Sequence, residues 1–194
     1  MSTIEYYNKN AEKFCESTLD ADVSAPYKHL IPKIKRTATI LDLGCGSGRD
    51  SKYFLDAGYQ VMAVDGSREL CRIASELIRR PVRQLLFENL DYHEEFDAVW
   101  ACASLLHVPK SVIRDIMLKV SEAIKPDGIL YMSVKYGNSE RIDGERSFSD
   151  YTEAEIPWLM KDTGLEVVEH WLSHDVRLDR DSDKWLNLIA HKHK

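Results

Sequence analysis

The 194-residue sequence has few cysteines and lacks the patterns in which cysteine binds a metal. Cys15, Cys45, Cys71 and Cys102 are widely separated, and none belongs to a CxxC pair. Zinc sites need closely spaced pairs of ligands, so we expect no metal site. Isolated thiols are typical of proteins from a reducing compartment, and we therefore expect a cytoplasmic protein.

The sequence also lacks long apolar runs and an excess of positive charge. No stretch approaches the roughly 18 successive apolar residues of a membrane span, and residues 1–7 have no apolar core of signal-peptide length. The net charge of -6 argues against nucleic acid as the main partner, because duplex binding requires clustered Lys and Arg. We expect a small-molecule substrate and no membrane partner, and the sequence leaves the oligomeric state open.

Short apolar runs alternate with amphipathic stretches from residue 39 onward, which is the pattern of a parallel sheet covered by helices. The predicted strands are residues 39–43, 59–65, 82–87, 96–101, 129–134, 165–172 and 185–191. The predicted helices between them occupy residues 49–57, 68–80, 110–124 and 152–163. Thr152 and Glu155 form the capping-box pattern for the last of these helices, and a start nearer Pro157 is the alternative, because proline is unfavourable inside a helix.

Two segments do not follow this alternation. Polar residues 136–150 are predicted to form a long binding loop or lid. Before the sheet, one N-terminal helix is predicted from a shared apolar face, which holds Ile4, Tyr7, Ala11, Phe14 and Cys15. We expect a single domain over residues 1–194, with residues 1–35 as a helical cap over a cofactor site.

A glycine loop separates the first predicted strand from the first predicted helix. Gly44, Gly46 and Gly48 allow the main chain to turn sharply and to approach a ligand closely. The free amides at the start of the helix favour a negative group. Asp65 ends the second predicted strand, where its carboxylate can accept hydrogen bonds from both hydroxyls of a ribose. Capping of the next helix is the alternative role for Asp65.

The spacing within this loop separates two classes of cofactor. Dinucleotide-binding enzymes use GxGxxG, which would require glycine where this sequence has Arg49. The loop is instead GxGxG, preceded by Asp42, which is placed to hold the amino-acid portion of a ligand directly or through water. A nicotinamide or flavin dinucleotide is therefore the second choice.

The chain resembles the class I S-adenosylmethionine-dependent methyltransferases, and over its whole length it resembles their small bacterial branch, which includes the tellurite-resistance-type enzymes. The stretches that carry the resemblance are LDLGCGSGRD, VMAVDGS, FENLDYHEEFDAVWACASLLHVP and IKPDGILYMSVK. It implies an α/β fold of three αβα layers, with a Rossmann-like sheet of seven strands. These strands are mostly parallel, and the last one is antiparallel and inserted between strands five and six.

The resemblance also implies S-adenosylmethionine as the cofactor and assigns the residues around it. The loop glycines would line the methionine and ribose portions, and Arg49 would pair with the carboxylate. The carbonyl of Ala101 would face the ammonium group, and the adenine would lie beside residues 66, 67, 89 and 90. The complete predicted cofactor set is Asp42, Gly44, Cys45, Gly46, Gly48, Arg49, Asp65, Gly66, Ser67, Asn89, Leu90 and Ala101.

His107 is the candidate catalytic residue, because it follows the fourth predicted strand, where the transferred methyl should point. Its near-neutral pKa suits removal of a proton from the acceptor, and the alternative is that it orders a turn. Further candidates for the substrate side come from the N-terminus, the polar loop and the last connection. They are Tyr6, Tyr7, Lys135, Arg141, Asp175 and Arg177. Core packing and surface ion pairs are the alternatives for these residues.

The sequence thus predicts an enzyme that transfers a methyl group from S-adenosylmethionine to a small molecule. Tellurite, selenite, a thiol, an amine and a carboxylate all remain open as acceptors. One alternative is a module that binds the cofactor without catalysis and acts through a partner. A dinucleotide-dependent oxidoreductase is the other alternative.

Overall fold

The computed structural model describes residues 2–176 and 183–193. Arg177, a predicted substrate residue, lies outside the described residues. Within the described ranges, no helix has the length and apolar character that crossing a membrane requires.

Seven strands form one sheet in the order β3-β2-β1-β4-β5-β9-β8. The strands are β1 (Thr39–Leu43), β2 (Gln60–Asp65), β3 (Arg83–Gln84), β4 (Phe96–Cys102), β5 (Ile124–Lys135), β8 (Leu165–His174) and β9 (Lys184–Lys192). The first five strands are parallel, and β9 lies antiparallel between β5 and β8. This arrangement confirms the predicted mostly parallel sheet with an inserted antiparallel last strand.

The central strands are buried on both faces, which explains their nearly continuous apolar sequences. Along β4, Trp100 packs into one apolar cluster, and its neighbours Val99 and Ala101 pack into another. The chain order reverses between β1 and β4, and ligands of open α/β sheets bind at such a switch point. The fold therefore marks the carboxyl ends of β1 and β4 as the place to search for a site.

Helices cover both faces of the sheet and complete the three layers. They are α1 (Thr3–Lys9), α2 (Ala11–Thr18), α3 (Ser24–Leu30), α4 (Arg49–Asp56), α5 (Arg68–Ile78), α6 (Ile113–Ala123) and α7 (Ile156–Met160). Residues of α3 and α4 pack into the cluster that contains Trp100, whereas α6 and α7 pack into the cluster on the opposite face. The predicted three-layer αβα architecture is confirmed.

The prediction of one continuous N-terminal helix is wrong. Asn10 has φ -116° and ψ 19°, outside the helical region, and separates α1 from α2. Its side-chain amide donates to the Tyr6 carbonyl over 2.9 Å. Asparagine offers the main chain this alternative to a helical hydrogen bond, so a shared apolar face does not guarantee a continuous helix.

The prediction that residues 136–150 form a loop is also wrong. They contain a β-hairpin of β6 (Glu140–Asp143) and β7 (Arg146–Ser149), which pair antiparallel. Asp143 pairs with Arg146, and Gly144 has the left-handed φ of +63° that a tight hairpin turn needs. The pattern is hidden because the residues are mostly polar and exposed, so apolar alternation does not reveal the strands.

Two other boundaries differ from the prediction. Of the third predicted strand, only Arg83–Gln84 pairs with β2, and a 3-10 turn follows at Phe87–Asn89. The capping box of Thr152 and Glu155 is confirmed, but it opens a 3-10 turn at Glu153–Glu155, and α7 begins only at Ile156. Pro157 then occupies the first turn of α7, where the missing N–H carries no cost.

Candidate functional site

A cavity of about 220 Å³ opens at the carboxyl ends of β1, β4 and β5. The glycine loop forms one wall, and α1, α2 and residues 21–26 form a second wall. Residues of β7, together with the ends of β8 and β9, complete the boundary. The cavity thus lies at the switch point of the sheet and draws on segments from both ends of the chain.

The glycine loop reaches this cavity through a backbone path that other residues rarely follow. Gly44, Gly46 and Gly48 have φ values of +78°, +55° and +81°, which strain residues with a side chain. The amides of Gly44 and Cys45 both donate to the Val64 carbonyl on β2, over 2.9 and 3.0 Å. Gly44, Cys45 and Gly46 line the cavity, so the loop presents main chain to its interior.

Asp65 fixes the loop from the end of β2. Its carboxylate accepts hydrogen bonds from the Gly46 amide over 2.9 Å and from the Ser67 amide over 2.8 Å. Burial raises the pKa of Asp65 above its usual value. The side-chain cap of α5 is Ser67, whose hydroxyl accepts from the Leu70 amide over 3.2 Å. Asp65 and Gly48, two predicted cofactor residues, do not belong to the described cavity wall. Each oxygen of Asp65 nevertheless keeps acceptor capacity next to the loop.

The structure does not bring the predicted adenine residues to the cavity. A Cβ added at Gly66 would meet Ile4 Cδ1 at 2.6 Å, so α1 covers this position. Ser67 donates its hydroxyl to Asn8 Oδ1 on the same helix over 2.8 Å. Leu90 is buried and Asn89 is exposed, and neither belongs to the described cavity wall.

Arg49 and Asp50 form a buried ion pair at the start of α4. Asp50 accepts from Arg49 Nε over 2.6 Å and from the Tyr27 hydroxyl and Trp100 Nε1 over 2.7 Å each. Burial alone would raise the pKa of Asp50, but Arg49 and the neutral donors lower it below its usual value. Arg49 also donates to the Thr18 carbonyl over 3.1 Å and lines the cavity.

The end of β4 contributes two residues that the sequence did not single out. Ala101, the predicted contact of the ligand's ammonium group, is fully buried, whereas Cys102 and Ala103 line the cavity. Ala103 has a φ of +52°, and its amide donates to Ser133 Oγ over 2.9 Å. Strained backbone of this kind concentrates at functional sites. The strand extends one residue further than predicted, which moves the cavity contact beyond Ala101.

His107 and Tyr7 meet at the edge of the cavity. The Tyr7 hydroxyl lies 2.9 Å from His107 Nε2, and His107 Nδ1 lies 2.7 Å from the Ser147 carbonyl. A carbonyl only accepts hydrogen bonds, so Nδ1 carries the proton and Nε2 accepts from Tyr7. Burial lowers the pKa of His107 to about 4, and the ring is therefore neutral at pH 7.

Comparisons with known proteins agree with this arrangement. Residues 40–128 match a family model described as a methyltransferase domain. YqeM of Bacillus subtilis strain 168, which is named as a methyltransferase, is 30% identical over 122 residues, covering 57% of this chain and 49% of YqeM. The chain spans about half the length of the curated relatives it matches.

Two solved structures share the fold. One is the 1,6-didemethyltoxoflavin-N1-methyltransferase of Burkholderia thailandensis with bound 1,6-didemethyltoxoflavin and S-adenosylhomocysteine (TM-score 0.75, 23% identity, 100% of this chain and 92% of that chain). The other is a methyltransferase in complex with the Haloferax volcanii activator Trm112 (TM-score 0.77, 16% identity, 99% and 96%). Residues 40–128 are thus similar to a methyltransferase domain, and the chain shares the fold of a methyltransferase solved with S-adenosylhomocysteine. These similarities agree with the predicted class, and the tellurite-resistance branch stays a prediction.

Lys135 and Asp175 line the cavity near the ends of β5, β8 and β9. Lys135 is 6% exposed, and its ammonium group contacts Asp183 and lies 3.6 Å from Asp175 Oδ2. The same ammonium group lies 4.6 Å from the centre of the Trp185 ring. The two predicted substrate residues are therefore brought together, with their charges paired to each other.

Two predicted substrate residues lie outside the described cavity wall, and two residues of β7 that were not predicted belong to it. Tyr6 packs its ring against the Arg146 guanidinium at 4.8 Å, and Arg141 forms an ion pair with Asp150. Arg146 and Phe148, two residues apart on β7, both line the cavity. Residues two apart on a strand share one face, but no apolar alternation marks this strand in the sequence.

Asp42 does not line the described cavity. It is 2% exposed and accepts from the Ser51 hydroxyl over 2.5 Å. Burial, followed by the nearby charge of Asp50, raises the pKa of Asp42 to about 8. The described residues therefore hold Asp42 beneath the loop, away from direct contact with a ligand in the cavity.

We expect Asp42→Asn to flatten the pH dependence of stability. The unfolded chain releases the Asp42 proton near pH 4, whereas the folded protein holds it to about pH 8. The folded state thus binds more protons between these values, and its stability falls as pH rises through that window. Urea unfolding at pH 5, 7 and 9 should show a smaller fall for Asp42→Asn than for the wild type. Exposed Asp56→Asn is the control, and parallel profiles for all three proteins would contradict the assignment.

Proposed function

We propose that this protein transfers a methyl group from S-adenosylmethionine to a small-molecule acceptor. The observation that carries the proposal is one cavity that joins the glycine loop to the polar side chains of Tyr7, His107 and Arg146. The loop offers main chain to a cofactor, and the side chains offer recognition and proton handling to an acceptor. Both requirements of a methyl transfer therefore meet in a single space.

The residues of this cavity fit the methionine and ribose portions of the cofactor. The left-handed glycines at positions 44 and 46 bring main chain to one wall of the cavity. Asp65 lies outside the described wall, but it holds the Gly46 amide and keeps acceptor capacity there. When bound, the cofactor supplies a methyl group on a sulfonium that becomes a neutral thioether on transfer. The protein has to align the acceptor with that methyl and to exclude water, effects worth up to about 7–11 kcal/mol in favourable cases.

The adenine portion needs a change at α1. Ile4 packs against Gly66, so an adenine beside Gly66, Ser67, Asn89 and Leu90 requires the Ile4 side chain to move away. We retain these residues as the proposed adenine contacts, with residues 1–35 of a single domain as the cap. Helix α1 has no buried residue of its own, which supports such a rearrangement.

His107 acts through Tyr7 in this proposal. The Tyr7 hydroxyl already donates to His107 Nε2, so a proton from the acceptor would pass to the Tyr7 oxygen as the Tyr7 proton passes to His107. An acceptor with a hydroxyl or a protonated amine needs such a base, whereas a soft nucleophile does not. Tellurite and selenite belong to the second group and rest only on the family resemblance. Free thiols at all four cysteines support a cytoplasmic location.

Calorimetric titration with S-adenosylhomocysteine tests the proposal. We expect saturable one-site binding, and no binding at millimolar ligand would overturn it. A module without catalysis would bind this ligand and methylate nothing in a broad metabolite screen. An oxidoreductase would instead enhance the fluorescence of added reduced nicotinamide dinucleotide, so the three functions give different results.

We expect Asp65→Ala to weaken S-adenosylhomocysteine binding. Each charge-assisted hydrogen bond to the ribose contributes about 1.5–3 kcal/mol, which corresponds to roughly 10-fold to 150-fold in affinity. Asp91→Ala is the matched control, because Asp91 is an exposed carboxylate paired with Arg83 on the surface. Urea unfolding of both variants separates affinity from stability, since Asp65 also accepts the Gly46 amide. Unchanged affinity in folded Asp65→Ala would remove Asp65 from the ribose site.

A further inference from the structure

The hairpin places the side chain of Arg146 against the cavity, and the proposed cofactor contacts do not include this cation. Arg146 lines the cavity, and its side chain is 15% exposed. Its guanidinium lies 4.8 Å from the centre of the Tyr6 ring and 5.0 Å from the centre of the Phe148 ring. Aromatic contacts on a planar guanidinium restrict its orientation, and a side-chain hydrogen bond with Tyr7 uses part of its edge. The remaining N–H groups can bind an anion.

Among the residues that the structure describes, two other Arg or Lys side chains line the cavity, and both are firmly paired. Arg49 Nε lies 2.6 Å from buried Asp50. Lys135 contacts Asp183 and lies close to buried Asp175. The charges of both cations are therefore balanced by carboxylates within the protein.

Arg146 differs from them in its partners. Its ion pair among the described residues is with Asp143, a side chain that is 64% exposed, at 3.9 Å. Such a long pair at the surface contributes little. Its Nε is buried and has no hydrogen-bond partner within the described part of the chain. A buried donor without a partner calls for an explanation, and a ligand in the adjacent cavity supplies one.

Apolar side chains line the same cavity as Arg146. Phe14, Leu106 and Phe148 line the same cavity, and Phe148 is 7% exposed. Burial raises the pKa of Tyr7, and Arg146 opposes this rise through its charge and a hydrogen bond. Burial lowers the pKa of His107, and the Arg146 charge lowers it further, so Arg146 lies beside this hydrogen-bonded pair. The neighbourhood therefore combines one cation, an apolar wall and a group able to receive a proton.

We propose that the methyl acceptor is a small, largely apolar molecule with a carboxylate, and that Arg146 binds this carboxylate. Guanidinium and carboxylate form paired, charge-assisted hydrogen bonds that orient the ligand as well as bind it. The inference rests on the proposed function, because it assigns the acceptor side of the same cavity. Arg49, at the glycine loop, remains the proposed partner of the cofactor's own carboxylate.

This assignment links recognition to proton handling. The Arg146 charge disfavours a protonated His107, and a bound carboxylate offsets that charge. An anionic acceptor therefore makes His107 more basic than a neutral analogue of the same shape does. Burial remains the larger cause of the low His107 pKa, so the carboxylate of the acceptor adjusts this basicity and does not create it.

Binding of matched acid and amide probes to the protein saturated with S-adenosylhomocysteine tests the inference. The probes are butyrate with butyramide, benzoate with benzamide, and indole-3-carboxylate with its carboxamide. In at least one pair we expect the acid to bind 10-fold or more tightly than the amide. Arg146→Met, which keeps the apolar stem, should abolish that preference and leave S-adenosylhomocysteine affinity unchanged.

Arg114→Met is the matched control. Arg114 also has a buried Nε without a hydrogen-bond partner among the described residues, but it pairs with Asp162 and does not line the cavity. We expect this variant to retain the preference for acids.

Equal binding of acid and amide in every pair would overturn the inference and leave the proposed function standing. Weaker S-adenosylhomocysteine binding by folded Arg146→Met would also overturn it, because Arg146 would then serve the cofactor's carboxylate. Failure of the wild type to bind S-adenosylhomocysteine would instead overturn the proposed function.

Discussion

Replacing Gly44 with alanine is expected to lower the free energy of unfolding by about 2–5 kcal/mol, the sum of backbone strain and overpacking. Gly44 has a φ of +78°, which costs a residue with a Cβ about 1–2 kcal/mol. The new Cβ would also lie 2.5 Å from the Cβ of Ser104, at the turn after β4. Neither atom belongs to the far end of a flexible side chain, so the main chain itself must shift. Urea unfolding measures the loss.

Two further variants separate these contributions. Gly58 has a φ of +92°, and a Cβ there would meet no atom within 4 Å, so Gly58→Ala should cost only the strain of about 1–2 kcal/mol. Adding Ser104→Gly to Gly44→Ala removes the overlapping atom and should recover the packing portion. Equal losses for Gly44→Ala and Gly58→Ala would show that the approach of Ser104 to the loop is unimportant.

Replacing Asp50 with alanine is expected to cost about 3–5 kcal/mol, the range observed when one member of a buried ion pair is removed. The change leaves Arg49 without its carboxylate and leaves the Tyr27 hydroxyl and Trp100 Nε1 without an acceptor. Both neutral donors are buried, so each retains a desolvation cost. Thermal and urea unfolding of the variant measure the effect.

Asp56→Ala is the control for Asp50. Asp56 lies on the same helix and pairs with Lys52, but it is 66% exposed, and such pairs contribute about 1 kcal/mol or less. Asp50→Asn adds a second comparison, because it preserves size while removing the charge opposite Arg49. Similar losses for Asp50→Ala and Asp56→Ala would contradict the view that Asp50 organises this part of the cavity wall.

The sheet could be predicted because strands buried on both faces have nearly continuous apolar sequences, which a short stretch of sequence reveals. Residues 39–43 read as a central strand, and the structure gives β1 the same bounds. The glycine loop was equally accessible, since positive φ and close backbone approach require glycine itself. The class of cofactor could also be predicted, because the sequence has Arg49 at the position where a dinucleotide-binding loop needs glycine.

The remaining features depend on contacts between distant parts of the chain. No local pattern indicates that Ile4 covers Gly66, because the two residues meet only when α1 docks on α5. Arg146 is one of many charged residues in a polar segment, and only the hairpin turns it toward the cavity. Polar strands at a surface carry no apolar period, so the sequence concealed both the hairpin and its cavity residue.

Main-chain atoms of Ser147 connect the hairpin both to α1 and to the turn after β4. Its carbonyl lies 2.7 Å from His107 Nδ1, and its amide donates to Thr3 Oγ1 over 3.0 Å. Neither bond uses the serine hydroxyl. Most substitutions at position 147 would therefore preserve both main-chain hydrogen bonds. We expect homologous sequences to vary at this position even where the contact itself is kept.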